Sequence, residues 1–249
     1  MFKKILLYTL LFLAAFYITP FVTLVCGKKY RNACFRELYY QLVVDQLNVS
    51  NKNDGTTTIL LYQFIKDNIN VSGKSVSKKT NPCEVIIDGK GYCDEQANAL
   101  ITLAGECGIE GKLIFLYGSD SISHHAVCEL KINDHFVMFD PFYGLVFFTN
   151  DHHLAGISDI QNNNIIKSNR LSIPTNYLKL FEKKYPSKVF RTNKISLPKK
   201  IIRAYLNMWH SKFGAMAIKP YFGIYFLLEG NNDLKERLLH QPSSICARS

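Results

Sequence analysis

The spacing of hydrophobic and polar residues predicts helices in the first half of the chain and strands in the second. Apolar residues recur at helical intervals, about three to four residues apart, in three stretches: 33–47, 57–69 and 93–107. Four strand-like runs follow: 112–117, 125–132, 135–139 and 145–149. Gly108 follows the third helical stretch and is typical of a residue just past a helix end. A run of helices followed by a run of strands predicts an α+β fold with an antiparallel sheet.

The segments between and after these elements are predicted by weaker signals. Residues 71–82 are polar and rich in lysine, which is typical of a loop. Cys83–Ile87 is interpreted as a short strand or extended segment. Two further helices are expected at 176–184 and 199–209, and the apolar stretch 213–228 is interpreted as a buried or interfacial segment or a second membrane span.

The N-terminal segment is the longest apolar stretch in the sequence. Ile5–Cys26 contains no charged residue, and a helix of this length spans about 33 Å, which is enough to cross a bilayer core. A poor cleavage site at its end favours an uncleaved signal anchor over a cleaved signal, and a buried soluble helix is the third interpretation. Large domains are translocated largely regardless of charge, so we expect a single-pass membrane protein whose body is extracytoplasmic, in the periplasm or at the cell surface.

Charge is distributed unevenly along the chain, whose net charge is +10. Residues 32–164 hold nine basic and sixteen acidic residues, whereas residues 165–220 hold thirteen basic residues and a single acidic one. We therefore divide the chain into an anchor at 1–31, a central domain at 32–164 and a basic, partly helical region at 165–249. Residues 165–220 are interpreted either as a surface that contacts anionic lipid or an acidic polymer, or as a solvated face. Nucleic acid is not expected, because the same chain carries a membrane anchor.

A cysteine, a histidine and an aspartate are predicted to meet. Cys93 follows a glycine-flanked turn and starts a helix, where backbone N–H groups and the helix dipole favour a thiolate. If Asn133-Asp134 is a two-residue hairpin turn, His125 and Asp140 lie on one face of the sheet, within side-chain reach. A histidine held by a carboxylate next to a cysteine is an arrangement that activates a thiol for nucleophilic attack.

Three motifs in this region carry a family resemblance. They are Gly91-Tyr92-Cys93 at a helix start, a strand beginning His125-Ala126, and a strand ending Asp140-Pro141. Residues 84–147 thereby resemble the transglutaminase-like superfamily, a papain-like thiol fold with N-terminal helices, a central helix that carries the cysteine and an antiparallel sheet. The resemblance implies that Cys93 is the nucleophile, His125 the base and Asp140 its orienting partner. Val127 stands where the family usually has tryptophan.

The resemblance implies acyl transfer or amide and peptide hydrolysis through a thioester on Cys93. We expect a membrane-anchored thiol enzyme whose substrate is a peptide or an amide-bearing envelope component. The alternatives are a catalytically silent module that binds or assembles an envelope or surface-polysaccharide component, and an arylamine acetyltransferase-like enzyme. The oxyanion donors are expected to be the Cys93 N–H and one further side chain, with Asn81 and Tyr92 as candidates.

The remaining cysteines and histidines suggest no further chemistry. No cofactor is expected, and the pair His152-His153 lacks the spacing of a common zinc motif. Disulfides among Cys34, Cys83 and Cys246, or a bridge between Cys83 and Cys93 that would block the site, are left open for an extracytoplasmic body.

Overall fold

The computed structural model divides the chain into two compact units. One unit is Leu47–Ile195, and the other joins Met1–Gln46 to Ser196–Ser249. The structure describes nine ranges of residues: 2–49, 52–71, 81–163, 165–170, 172–182, 187–192, 204–206, 208–209 and 220–229. The described elements form a mixed α+β fold, which confirms the predicted class.

Helices come first in the chain and most of the strands follow. The helices are α1 Phe2–Val25, α2 Lys28–Gln46, α3 Asp54–Asn68, α4 Pro82–Asp88, α5 Cys93–Glu106 and α6 Ile157–Gln161, with a 3₁₀ helix at Tyr177–Phe181. The strands are β1 Asn70–Val71, β2 Lys90–Gly91, β3 Gly111–Tyr117, β4 Ser123–Ile132, β5 His135–Phe139, β6 Phe147–Thr149, β7 Ile165–Ser168 and β8 Lys188–Thr192.

The main sheet has four antiparallel strands in the order β5-β4-β3-β8. Its β4–β5 hairpin closes through the two-residue turn Asn133-Asp134, whose φ angles are +48° and +68°. Asn and Asp tolerate this left-handed conformation, which matches the twist of the paired strands. Ile132 pairs with His135, so the predicted turn and register are confirmed.

Helix α5 packs closely against this sheet. Its residues Ala97, Leu100, Ile101 and Ala104 are fully buried. A side chain at Gly111 would come within 2.7 Å of Leu130 and 3.1 Å of Ile101, so glycine at this position allows the helix to approach β3 and β4. The helix ends before Gly108, whose φ is +81°, as the sequence predicts.

The prediction that Cys83–Ile87 is extended is wrong, because this segment lies in helix α4. The Asn81 side chain caps this helix by accepting a hydrogen bond from the Cys83 N–H at 3.1 Å, and Pro82 occupies its first turn. Gly89 ends it with a φ of +62°. A short, mainly apolar run does not distinguish a strand from a short buried helix, and the flanking Asn-Pro and Gly were the stronger signals.

Two further elements differ from expectation. The run 145–149 forms a strand only from Phe147, and this strand pairs with β7 rather than with the main sheet. The helix expected at 176–184 is a single 3₁₀ turn, Tyr177–Phe181, and residues 183–184 lie outside the described part. Of the helix expected at 199–209, residues 204–206 and 208–209 are described, and they are helical.

The other unit consists of α1, α2 and described residues near the C terminus. Most side chains of α1 are exposed and apolar, and Lys3–Val25 is the one described helix long and apolar enough to cross a membrane. Beyond its middle, α1 contacts aromatic residues of the C-terminal region. The Phe21 ring lies 6.1 Å from that of Trp209 and 5.9 Å from that of Tyr221, measured between centroids.

Candidate active site

Cys93 is the first residue of α5 and is half-buried. The preceding turn is fixed by two buried side chains of the helix. Glu95 accepts a hydrogen bond from the Tyr92 N–H at 2.7 Å, and the Gln96 Nε2 donates to the carbonyl of Gly91 at 3.0 Å. The thiol is therefore held at the helix start, where backbone N–H groups and the helix dipole favour an anion.

His125 and Asp140 form a buried pair. The His125 Nε2 lies 2.6 Å from the Asp140 Oδ2, and the side chains are 4% and 0% exposed. An ionised carboxylate only accepts hydrogen bonds, so this contact places a proton on Nε2 and leaves Nδ1 for Cys93. The sequence predicted that these two side chains share a face, and the structure brings them together.

The electrostatics of the pair favour a protonated histidine. Burial opposes the charge on the imidazole, but its hydrogen bonds to Asp140 and to Cys93, together with the negative charges of both partners, outweigh this effect. They raise the pKa of His125 to about 9. A cysteine and a histidine in this state can share a proton as a thiolate–imidazolium pair, which is the nucleophilic form of the thiol.

Asp140 is held by three donors. The Tyr177 hydroxyl donates to Oδ2 at 2.6 Å, which is the oxygen that His125 contacts, and the Tyr143 N–H donates to Oδ1 at 3.0 Å. The backbones of Asp140 and Leu145 exchange two hydrogen bonds, of 3.0 and 2.9 Å, and so close a tight loop after β5. The carboxylate is thus fully buried and its hydrogen bonds are satisfied.

Aromatic rings surround the imidazole. The ring centroid of His125 lies 5.0 Å from that of Tyr143, 5.7 Å from Tyr177 and 5.9 Å from Phe142. Val127, at the family's tryptophan position, is fully buried in the core. The loop after Asp140 therefore supplies aromatic rings at the site.

Sequence reasoning overlooked these aromatic residues. Phe142 and Tyr143 directly follow Asp140-Pro141, and this proximity was a usable signal. Tyr177 lies 37 residues beyond Asp140 in a basic segment without a motif.

The two candidate oxyanion residues, Asn81 and Tyr92, are the N-cap residues of α4 and α5. Asn81 uses its side chain to cap α4 and to donate to Glu84 at 3.1 Å. Tyr92 is half-buried beside Cys93. Six cysteines in the described part of the chain form no disulfide, namely Cys26, Cys34, Cys83, Cys93, Cys107 and Cys128, so no Cys83–Cys93 bridge blocks the site. Cys246 lies outside the described residues.

A separate open cavity lies at the turn end of the β4–β5 hairpin. It has a volume of about 980 Å³, and its lining includes His135, His152, His153, Asp134 and Asp151. Cys93, His125 and Asp140 do not line it. Within the described ranges, no group of three or more His, Cys, Asp or Glu side chains is arranged to hold a metal ion.

Comparison with known protein families identifies the domain that contains this fold and its helix-start cysteine. Residues 43–141 match the model of the Transglutaminase-like superfamily. The chain therefore contains a transglutaminase-like superfamily domain, and the resemblance predicted from its motifs is confirmed. The match begins well before the motifs and includes α3 and α4. Members of this superfamily are usually enzymes.

A comparison with solved structures gave matches to parts of two proteins. A "putative protease" from Parabacteroides distasonis is 12% identical with a TM-score of 0.36, and the match covers 51% of this chain and 26% of that one. A "putative cysteine protease" from Cytophaga hutchinsonii is 13% identical with a TM-score of 0.31, and that match covers 59% of this chain and 48% of the other. This chain thus spans less than half the length of either protein. A comparison with curated proteins gave no significant match.

Proposed function

We propose that this protein is a cysteine-dependent enzyme that cleaves or transfers an acyl group from a peptide or another amide, with Cys93 as nucleophile, His125 as acid and base, and Asp140 as its orienting partner. The observation that carries the proposal is the buried His125–Asp140 contact of 2.6 Å. The interaction of the same imidazole with Cys93 is among the causes that raise the pKa of His125. The superfamily domain supports the same reaction class.

The reaction proceeds in two steps, acylation of Cys93 and transfer of the acyl group to water or an amine. The Cys93 thiolate attacks the amide carbonyl, and the oxyanion formed is stabilised by the N–H of Cys93 at the start of α5. The carbon–nitrogen bond breaks, the His125 imidazolium gives its proton to the departing amine, and a thioester remains on Cys93. Water or an acceptor amine then gives a proton to His125 and attacks the thioester carbonyl. The carbon–sulfur bond breaks, the acid or the new amide is released, and the Cys93 thiolate and His125 imidazolium are restored.

The experiment that tests this proposal measures the alkylation of Cys93 by iodoacetamide against pH in the full-length protein in detergent. The wild type is compared with Cys93→Ala and His125→Ala, and labelled sites are identified by mass spectrometry. Fast labelling of Cys93 below pH 7 that becomes slow in His125→Ala supports an activated pair. Slow labelling with the profile of an ordinary thiol in the wild type would leave the silent binding module as the better description.

Substrate screening follows a positive result. Quenched peptide amides are incubated with the wild type and with Cys93→Ala, with and without an added primary amine. Hydrolysis without the amine identifies water as the acceptor, whereas a new amide that forms only with the amine identifies acyl transfer. The acyl-enzyme, trapped at low pH, has the mass of the protein plus the acyl group.

We further propose that α1 is retained as a membrane anchor with the body outside the cytoplasm. The apolar, exposed surface of Lys3–Val25 supports an anchor. Trp209 and Tyr221 are fully buried and contact Phe21 of this helix, so removal of α1 would expose two large aromatic side chains. Intact mass measurement of protein from the membrane fraction tests this: a mature chain that begins after Cys26 contradicts it.

The proline in α1 explains one of its contacts with the C-terminal region. Pro20 has no N–H to donate to the carbonyl of Phe16, four residues earlier. The Tyr205 hydroxyl donates to that carbonyl at 2.8 Å, and the Trp209 indole donates to the carbonyl of Tyr17 at 3.0 Å. Backbone acceptors at membrane depth need such partners, so these bonds suit a helix that stays in the membrane.

This contact is tested by a double-mutant cycle. Tyr205→Phe is expected to lower the stability of this unit by about 0.5–1.5 kcal/mol in the wild type. In Pro20→Ala the restored N–H binds the Phe16 carbonyl, so the same change should cost close to nothing. Trp209 is the only tryptophan in the chain, and its fluorescence reports unfolding of this unit in detergent. Equal losses in both backgrounds would contradict the explanation.

Contact of the basic region with anionic headgroups stays a proposal that its charge supports. Residues 165–220, only part of which are described, hold thirteen basic residues. Flotation of the protein with neutral and with anionic vesicles at two salt concentrations tests it.

A further inference from the structure

Tyr177 makes a contact with the candidate site that the superfamily match does not include. Its hydroxyl donates to the Asp140 Oδ2 at 2.6 Å, and its side chain is only 3% exposed. The matched residues end at 141, so Tyr177 reaches Asp140 from a later segment of the chain.

Local structure fixes Tyr177 firmly. It is the first residue of the 3₁₀ helix, its N–H donates to the carbonyl of Pro174 at 3.0 Å, and Asn176 before it has a φ of +64°. Its ring packs 5.4 Å from that of Phe181 and 6.2 Å from that of Phe147. The hydroxyl is thus aimed at Asp140 by a turn and by two packed aromatic rings.

We propose that Tyr177 is a positioning residue that acts on His125 through Asp140, an inference that rests on the proposed function. A protonated carboxyl would itself have to donate a hydrogen bond to one of its partners. Because Tyr177 and His125 both donate to Oδ2, these contacts are best satisfied by an ionised carboxylate. Tyr177 and the Tyr143 N–H, one on each oxygen, fix the rotation of the carboxylate. The Oδ2 lone pairs then point at the Nε2 of His125, which leaves its Nδ1 for Cys93.

The Tyr177 hydroxyl also weakens the attraction between the Asp140 carboxylate and the His125 imidazolium. A donor on Oδ2 draws negative charge from the oxygen that His125 contacts, so the carboxylate holds the imidazolium less tightly than it would alone. The imidazolium must give up its proton to the departing amine during the reaction, and a weaker hold favours this transfer. Tyr177 would therefore keep His125 positioned and at the same time release its proton more readily.

The alternative is that Tyr177 only fills the core. Its ring belongs to a buried apolar cluster with Phe147 and Phe181, and such packing does not need the hydroxyl. The change Tyr177→Phe keeps the ring and removes the hydroxyl alone, so it separates the two roles. Tyr62→Phe is the matched control, because Tyr62 is also a buried tyrosine packed 5.4 Å from Phe139, and no described hydrogen bond joins it to Asp140.

The experiment follows the loss of the His125 proton at alkaline pH in the full-length protein in detergent. Iodoacetamide labelling of Cys93 is measured from pH 5 to 10 for the wild type and both variants, with thermal stability measured alongside. In Tyr177→Phe the alkaline limb of the profile is expected to move up by about 0.5–1 pH unit, the effect of removing one hydrogen bond from a carboxylate. In Tyr62→Phe it should not move.

A second measurement keeps the inference independent of thiol reactivity. The imidazole nitrogens of His125 are titrated by NMR in a Cys93→Ala background, with His125→Asn used for assignment. The same upward shift is expected in Tyr177→Phe. An alkaline limb and a His125 titration that both stay unchanged or move down, with only thermal stability affected, would overturn the inference and leave Tyr177 a core residue.

The two proposals fail in different ways. An ordinary thiol profile of Cys93 in the wild type would reject the proposed enzyme, whereas the NMR titration would still show whether Tyr177 acts on His125 through Asp140. If Cys93 is activated but Tyr177→Phe changes neither its labelling profile nor the titration of His125, only the role of Tyr177 is rejected.

Discussion

Replacement of Asp140 by asparagine tests the central electrostatic argument. The contact between Asp140 and His125, with that to Cys93, raises the pKa of the imidazole from its ordinary 6.5 to about 9 against the effect of burial. At 1.36 kcal/mol per pH unit, this difference corresponds to roughly 3 kcal/mol of preference for the imidazolium. Asparagine keeps the shape of the side chain and removes its charge.

The loss of Cys93 reactivity should be larger than this difference in the pKa of His125 alone suggests. Burial without a charged partner lowers the pKa of His125 below 6.5. The imidazole is then neutral near pH 7 and no longer stabilises the thiolate of Cys93. We expect iodoacetamide labelling of Cys93 at pH 6 to fall by about 300-fold or more, since 300 is roughly the factor that corresponds to 2.5 pH units. Labelling is followed by mass spectrometry, and far-UV circular dichroism verifies the fold.

Two controls make the result decisive. Cys93→Ala gives the background labelling of the other cysteines, and labelling in denaturant shows that the intrinsic reactivity of Cys93 is the same in both proteins. If folded Asp140→Asn labels at pH 6 as fast as the wild type, the carboxylate does not sustain the ion pair, and the assigned role of Asp140 is refuted.

Three further outcomes follow from packing and titration. Gly111→Ala places a Cβ 2.7 Å from Leu130 and should cost about 1–3 kcal/mol in chemical denaturation. Glu129→Leu deprives the Ile157 N–H of the acceptor it has at 2.9 Å and should lower stability by about 1–3 kcal/mol, measured in the same way. Because the folded pKa of His125 is raised, the stability it contributes should be fully present below pH 6.5 and disappear as pH rises through about 9. Denaturation midpoints of wild type and His125→Gln across this range should show the decline in the wild type alone.

The sequence predicted the candidate site because short-range signals determine its geometry. Asn133-Asp134 specified a two-residue turn, and this turn sets the register of β4 against β5. With side chains alternating along each strand, that register places His125 and Asp140 on one face. Cys93 was identified by its position after a glycine-flanked turn, a local feature that needs no tertiary information.

Prediction failed where a short apolar run had to be assigned without its tertiary surroundings. Cys83–Ile87 is buried on most sides, so its pattern shows neither the period of a strand nor that of a helix. Its state is decided by Asn81 at one end and Gly89 at the other, which cap a helix. Cap residues were thus more informative than hydrophobicity.

Tyr177 marks the limit of motif-based reasoning in this chain. The three predicted residues occur in motifs whose spacing the fold constrains, whereas Tyr177 reaches the site from a 3₁₀ turn 37 residues beyond Asp140. A single tyrosine among lysines has no pattern that distinguishes a buried partner of a carboxylate from a surface residue. Only the tertiary packing of its ring against Phe147 and Phe181 directs the hydroxyl towards the carboxylate. A donor to a buried carboxylate can be supplied from any element that packs against it, so such positioning residues are the part of a site that local sequence specifies least.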